Sequence, residues 1–270
     1  MVEFSALISH RFRGFTDKEN TIDGLNAALE FGVKQVEFDI RVTRCGTPLI
    51  YHDEHAKDAQ GKTHHICDLM ADGINALGGD FSQMPTAEAL FKAIADHANK
   101  NCTLLIDIKD AGFEEAIYAL VMAYKLENRV VWVSWLPEVL YALNDIKPDQ
   151  QLCLSHWCRR PGRNTRAIHH VFFAQKGHIP RPDRKVVVGE RSGWFVDGPL
   201  RGDLRRILTH VCVPAGQVWP ELVRQYQRDN IKVSAFSYTD ANILESESKK
   251  LKLNDYFSDN KDLFDYLIER

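Results

Sequence analysis

The sequence predicts a single (β/α)8 barrel, and three observations predict it. Short apolar, β-rich runs alternate with longer stretches patterned like amphipathic helices along the chain. Strands separated by helical crossovers pair in parallel, and the eight runs present are enough to close a barrel. The length of 270 residues suits one such domain, for which roughly 250 residues is typical.

The strand runs fall at residues 4–9, 34–40, 103–108, 129–135, 151–156, 210–213, 231–236 and 255–258. Helical patterning fills 21–31, 86–99, 113–126, 137–145, 219–229 and 240–251. The sixth strand run is the least marked, and 185–188 is an alternative to it. Two segments depart from the repeat. In 41–85, Val42-Thr43 and Leu49-Ile50 flank Arg44-Cys45-Gly46-Thr47, which reads as a hairpin continuing the second strand. A polar stretch through His64-His65 and Gly78-Gly79 follows, and Pro85-Thr86 opens the next helix, so 41–85 reads as a small insertion. The segment 158–202 holds four of the chain's ten prolines and many arginines, and reads as a long irregular connection. Residues 1–270 are otherwise one domain.

Composition excludes several classes of function. Hydrophobic residues make up 44% and charged residues 26%, as in an ordinary globular protein. A formal net charge of −3 supplies no global basic field, so neither nucleic acid nor an anionic membrane is an expected partner. No apolar run approaches the roughly 18–20 residues of a membrane helix, so no stable membrane anchor is expected. The apolar start, 4–8, is too short for a secretory leader. Six cysteines lie scattered without a CxxC pair, which predicts free thiols and a cytoplasmic location.

The chemistry is concentrated where strands end. Catalytic groups of a (β/α)8 barrel sit at the C-terminal ends of its strands, and here those ends carry His10-Arg11, Glu37-Phe38-Asp39 and Asp107-Ile108-Lys109. His52-Asp53 closes the hairpin that extends the second strand. Glu37 and Asp39 are two apart, so strand periodicity puts both carboxylates on one face; Asp107 and Lys109 repeat the spacing. Alone, each pair reads as a solvated edge, a surface turn or a weak ion pair. Together they aim three carboxylates, two imidazoles and two cations at one mouth. Burying three carboxylates is costly unless a hard divalent cation holds them, and an all-oxygen set suits Mg2+ or Ca2+ better than Zn2+.

In order and register, His10-Arg11, Glu19-Asn20-Thr21, Glu37-Phe38-Asp39, Thr43-Arg44-Cys45-Gly46 and His52-Asp53 resemble the N-terminal pattern of the glycerophosphodiester phosphodiesterase family. Met84-Pro85-Thr86, Asp107-Ile108-Lys109, Ser134-Trp135, Phe236-Ser237, Asp255 and Ser258-Asp259 resemble its later elements. The likeness is strong over 5–136, fair over 218–260 and poor over 157–210. It implies a divalent metal (Mg2+ or Ca2+, with Mn2+ as a further option) on Glu37, Asp39 and Asp107. It makes His10 and His52 the acid/base pair and puts Arg11 and Lys109 on the phosphate of a small glycerophosphodiester, cleaved to sn-glycerol 3-phosphate and an alcohol. Trp135 and Phe236 read either as pocket walls or as core.

Four positions depart from the family pattern. Phe12 replaces a Gly and is expected to crowd the phosphate approach, Lys18 replaces a Pro, Asp107 is one methylene shorter than Glu, and Phe236 replaces Trp. Asn20 reads as a helix cap or as a brace for the loop after His10. His64-His65 and His169-His170 read as exposed loop, and the cluster Arg159, Arg160, Arg163 and Arg166 either as a solvated loop or as a binding patch for an anionic group. Two other functions fit the same residues: a lysophospholipase D or sphingomyelinase D-like activity, and a non-catalytic barrel that binds a phosphorylated ligand.

Overall fold

Alternation of inward and outward residues along eight parallel strands builds two separate apolar layers. The computed structural model describes residues 2–158, 184–188, 191–196 and 202–270. In chain order the barrel strands are β1 (Leu7–His10), β2 (Gln35–Val42), β6 (Thr103–Ile108), β7 (Val130–Ser134), β8 (Leu152–Ser155), β12 (His210–Pro214), β13 (Lys232–Tyr238) and β14 (Asp255–Ser258). Each pairs in parallel with its neighbour, and β1 closes the sheet by pairing with both β14 and β2. Outward residues such as Val36, Phe38, Ile40, Leu104, Ile106 and Trp132 meet the surrounding helices in the main core. Inward residues Ile8, Leu105, Val131, Val133, Cys153, Cys212 and Phe257 form a second cluster that fills the barrel interior. A parallel sheet covered on both faces needs such nearly continuous apolar runs.

The helices are α1 (Ile22–Phe31), α2 (Ala87–Asp96), α3 (Glu114–Ala123), α4 (Pro137–Ile146), α5 (Gly202–Ile207), α6 (Pro220–Arg228), α7 (Ala241–Leu251) and α8 (Asp262–Ile268). Their starts follow local chemistry. Thr21 caps α1 by accepting from the Gly24 amide, Thr86 caps α2 through the Ala89 amide, and Asp240 caps α7 through Asn242 and Ile243. Proline opens α4 and α6, where no amide is needed. Among the described residues, no helix is long and apolar enough to cross a membrane.

Between β2 and α2, strand β3 (Pro48–Ile50) runs antiparallel to β2, and a two-stranded ribbon of β4 (His55–Lys57) and β5 (Thr63–His65) follows. Leu49, Ala56, Ile66, Ile74, Phe81 and Met84 give this region its own small core.

Two expectations change, and the sixth strand is the run first assigned to it rather than the alternative. The first strand begins at Leu7, because Phe4–Ala6 forms a 3-10 turn. The sixth barrel strand is His210–Pro214, while the alternative at 185–188 belongs to β10 (Arg184–Val188). That strand joins β11 (Arg191–Val196) and β9 (Trp157–Cys158) in a separate three-stranded sheet. Part of the expected irregular connection is therefore sheet: valines at 186–188 and the aromatic-rich run at 194–196 have strong β propensity. Arg159, Arg160, Arg163, Arg166, His169 and His170 lie outside the described residues.

A histidine beneath the barrel mouth sets a pH limit on stability. His156 is fully buried; its Nδ1–H donates to the Trp157 carbonyl at 3.0 Å, and its Nε2 accepts from the Tyr226 hydroxyl at 2.8 Å. Both nitrogens are thus satisfied in the neutral ring, and burial pushes its pKa down to about 4. The unfolded chain takes up this proton below about pH 6.5 and the folded chain does not, so stability is full above that value and declines as pH falls. Between pH 6.5 and 5 the loss from this residue is about 2 kcal/mol. His156→Gln should shrink the fall in Tm over that window; an unchanged fall would show that the folded protein protonates His156.

Candidate active site

Strand register brings the polar ends together. His10 is the Cα partner of Glu37, and Asp39 is the partner of Asp107. The shared parity of Glu37 and Asp39 turns both carboxylates inward, above the apolar cluster that plugs the barrel. Over them lies a cavity of about 330 Å3 lined by His10, Arg11, Glu37, His52, Asp107 and Lys109, with Trp135 and Phe236 on its wall. Phe236 meets Trp135 edge-on at 5.8 Å, and Trp135 also packs at 5.3 Å from Trp157; of the two readings left open, both residues take the cavity wall.

Asp39 is completely buried and does not line the cavity. Its Oδ2 accepts from Asn20 Nδ2 at 2.9 Å and meets Arg11 Nε at 3.0 Å, and its Oδ1 meets Lys109 Nζ at 2.9 Å. Burial works against its charge, but Lys109 and Arg11 hold the carboxyl well below the usual carboxylate range. Glu37 has the opposite fate: burial, then the Asp39 charge, push it well above that range, and Arg11 offsets them only in part. Lys109 also pairs with Asp107 Oδ2. Arg11 and Lys109, expected on a phosphate, are therefore engaged with carboxylates, although both still face the cavity.

The carboxylates fit a hard divalent cation. One oxygen each from Glu37, Asp39 and Asp107 lies within 4.8 Å of the others. Glu37 Oε2 and Asp107 Oδ1 are buried without a hydrogen-bond partner, a costly condition for charged oxygen. Were all three carboxylates ionised, their −3 would exceed the +2 of Arg11 and Lys109, and a bound cation would offset the charge that burial otherwise disfavours on Glu37.

The two histidines are held by different partners. His10 Nδ1 contacts Asp259 Oδ1 at 2.5 Å, leaving Nε2 3.7 Å from Glu37 Oε2. Asp259 is fixed in turn by Ser237 Oγ at 2.5 Å and Arg13 at 3.0 Å. Close backbone contact supports this grip: Gly14 has φ +79°, and a Cβ there would lie 2.5 Å from the Lys261 nitrogen, two residues beyond Asp259. His52 Nδ1 meets Asp53 Oδ1 at 2.7 Å, and the His52 carbonyl accepts from Arg41 Nε at 3.0 Å. Asp110 holds Arg41 at 2.7 Å. Burial lowers the pKa of both imidazoles, against the pull of their carboxylate partners.

Asp259, Arg13, Arg41 and Asp110 were not among the expected site residues. Arg41 continues the parity of Glu37 and Asp39 along β2, a signal present in the sequence. Asp259 was visible only as part of Ser258-Asp259 at a strand end. Asp259→Asn should lower kcat and, by removing a negative charge beside His10, shift the acid limb of the kcat/KM profile to lower pH. An unmoved profile would leave Asp259 a purely structural residue.

Of the two readings of Asn20 the structure shows the brace and not the cap, and the expectation for Phe12 is corrected. Asn20 does not cap α1, since Thr21 does; its side chain holds Asp39, while its amide braces the Arg11 carbonyl at 2.9 Å. Phe12 does not crowd the mouth. Its ring is fully buried 6.0 Å from Phe38 in the layer between barrel and helices. Its φ of 59°, beside 56° at Arg11, is a conformation that Gly adopts freely and other residues adopt at about 1–2 kcal/mol. Room for the ring comes from Gly24, where a Cβ would stand 3.1 Å from that of Phe12. Glu19 bridges Arg11 and Arg13 at 3.2 and 2.5 Å.

Comparison with known proteins bears on the family and the fold. The model of the glycerophosphoryl diester phosphodiesterase family matches residues 8–254. Glycerophosphodiester phosphodiesterase 1 of Homo sapiens is 31% identical over 162 residues, 55% of this chain and 48% of its own. A glycerophosphodiester phosphodiesterase of Caldanaerobacter subterraneus is 27% identical over 168 residues, 56% of this chain and 67% of its own. The chain spans about half the length of the mammalian relatives it matches. Among solved structures, a phosphodiesterase of Oleispira antarctica in complex with the product sn-glycerol-3-phosphate has a TM-score of 0.67 at 17% identity, covering 98% of this chain and 96% of that one. The glycerophosphodiester phosphodiesterase of Thermotoga maritima has a TM-score of 0.63 at 17% identity over 100% of both chains. At these identities the two structures show the shared barrel fold.

Proposed function

Because the chain belongs to the glycerophosphoryl diester phosphodiesterase family, we propose that it hydrolyses glycerophosphodiesters to sn-glycerol 3-phosphate and an alcohol in the cavity at its barrel mouth. The observation that carries this reading is the meeting of His10 and His52 with Glu37, Asp107 and Lys109 around that one cavity. The relative from Oleispira antarctica, solved with sn-glycerol-3-phosphate, supports the substrate class.

Glu37, Asp39 and Asp107 would hold the divalent cation, Mg2+ or Ca2+ or else Mn2+, which when bound supplies positive charge against the charge that builds on the phosphoryl oxygens. The site's own residues do the rest. Arg11 and Lys109 keep Asp39 ionised and present their remaining donors to the cavity, where they would bind phosphate oxygens. Water, or the glycerol 2-hydroxyl, attacks phosphorus and loses its proton to one imidazole. The bond from phosphorus to the alcohol oxygen breaks, and that oxygen takes a proton from the other imidazole. If the 2-hydroxyl attacks, water then opens the cyclic phosphate by the same exchange in reverse. Trp135 and Phe236 offer the leaving alcohol an apolar wall.

The test is product release from the full chain given glycerophosphocholine, glycerophosphoethanolamine or lysophosphatidylcholine with each of the three ions. Glycerol 3-phosphate released from the first two is the expected result. Turnover of lysophosphatidylcholine alone would instead mark a lysophospholipase D, and no turnover under any ion would leave a binding barrel.

A further inference from the structure

A second cluster of metal-ligating side chains lies on the β4–β5 ribbon, and its chemistry differs from that of the carboxylate site. His55 and His65 are Cα partners across the two strands. Their rings face each other at 3.8 Å between centroids, with the two Nε2 atoms 3.0 Å apart. Independently, donor atoms of His65, Cys67 and Asp68 lie within 4.8 Å of one another, and all three residues are exposed. Strand alternation turns His64 away from them: it bonds Asp58 at 2.8 Å and meets the Phe81 ring edge-on at 5.8 Å. His64 is thus half-buried against Phe81 of the small core, and His65 is exposed.

The backbone presenting these donors is fixed. Buried Ile66 anchors the turn between them, donating its amide to the Glu54 carbonyl at 2.9 Å, and Leu69 closes the 3-10 turn on Ile66 at 3.1 Å. Imidazole and thiolate donors favour borderline and soft cations, whereas Mg2+ and Ca2+ take oxygen. Two nitrogens bound to one tetrahedral zinc, each at about 2.0–2.1 Å, stand about 3.3 Å apart. The pair seen here needs to open by only a few tenths of an ångström.

We propose that His65, Cys67 and Asp68 form a binding site for a zinc-class transition metal ion beside the catalytic cavity, and that His55, whose Nε2 already meets that of His65, turns to complete it as a fourth donor. His55 joins the two regions, because it also lines that cavity beside His52. The proposal does not rest on the phosphodiesterase reading, since none of its donors belongs to the three-carboxylate set.

The test is titration of the full chain with Co2+ in excess Mg2+, followed by absorbance. An all-oxygen site gives no thiolate-to-cobalt charge transfer, so that band reports the ribbon site alone. The expected result is a charge-transfer band that saturates at one equivalent, disappears in Cys67→Ser, and requires at least tenfold more Co2+ in His65→Ala. Cys45, another exposed thiol, held by Thr43 and Thr47, supplies the control, and Cys45→Ser should leave the band unchanged. Absence of the band, its persistence in Cys67→Ser, its loss in Cys45→Ser, or an unchanged affinity in His65→Ala would each overturn the proposal.

Discussion

Replacing His10 with Gln should lower kcat by roughly 100- to 10,000-fold, the range of a lost general acid or base, and His52→Gln should do the same. The arrangement around each ring gives the reason. Asp259 occupies His10 Nδ1 and Asp53 occupies His52 Nδ1, so both rings keep Nε2 for proton exchange. Burial depresses both pKa values, so at neutral pH either free ring is a ready base. An anionic phosphodiester between them favours protonation of one, which then becomes the acid. Since the two act on one transition state, the double variant should cost little more than the worse single one. The measurement is steady-state turnover of glycerophosphocholine with Tm as a check on folding. Turnover within a few-fold of normal in both folded single variants would remove the acid/base assignment.

The barrel was legible because each of its strands must be apolar on both faces, which leaves short, nearly continuous runs that helices separate. Site parity was legible for the same reason: residues two apart on a strand share a face, so Glu37 and Asp39 declared themselves from spacing alone. What stayed hidden depends on closure or on backbone sign. Asp259 reaches His10 across 249 residues only because β14 pairs with β1. The fate of the Phe12 ring depends on a positive φ that its side chain gives no hint of, and on the space left by Gly24. Asn20 follows the same logic. Beside a helix start it reads equally as a cap or as a brace, and only φ 57° turns its amide to Arg11 and its side chain to Asp39.

Glu37→Gln should separate stability from function. In the cation-free protein, Glu37 is pushed toward its neutral form by burial and by Asp39. With a folded pKa raised above the unfolded one, its contribution to stability is present below about pH 4.5 and is lost as pH rises through the folded value. Glutamine keeps the shape and removes that loss. In chelator, the variant should therefore match or exceed the parent in Tm at pH 8, with a smaller deficit of the parent at pH 5. Cation binding at the three carboxylates should reverse the order. At 100 times its Kd the ion would stabilise the parent by about 2.7 kcal/mol, and the variant, lacking one of the three proposed ligands, should gain far less. Turnover should fall with it, because the remaining pair Asp39 and Asp107 is already shared with Lys109. Thermal melts in chelator and in Mg2+, Ca2+ and Mn2+ read this directly. A variant that melts below its parent in chelator, or that keeps the full cation-dependent rise, would show that the Glu37 carboxylate is held by the fold rather than by a metal.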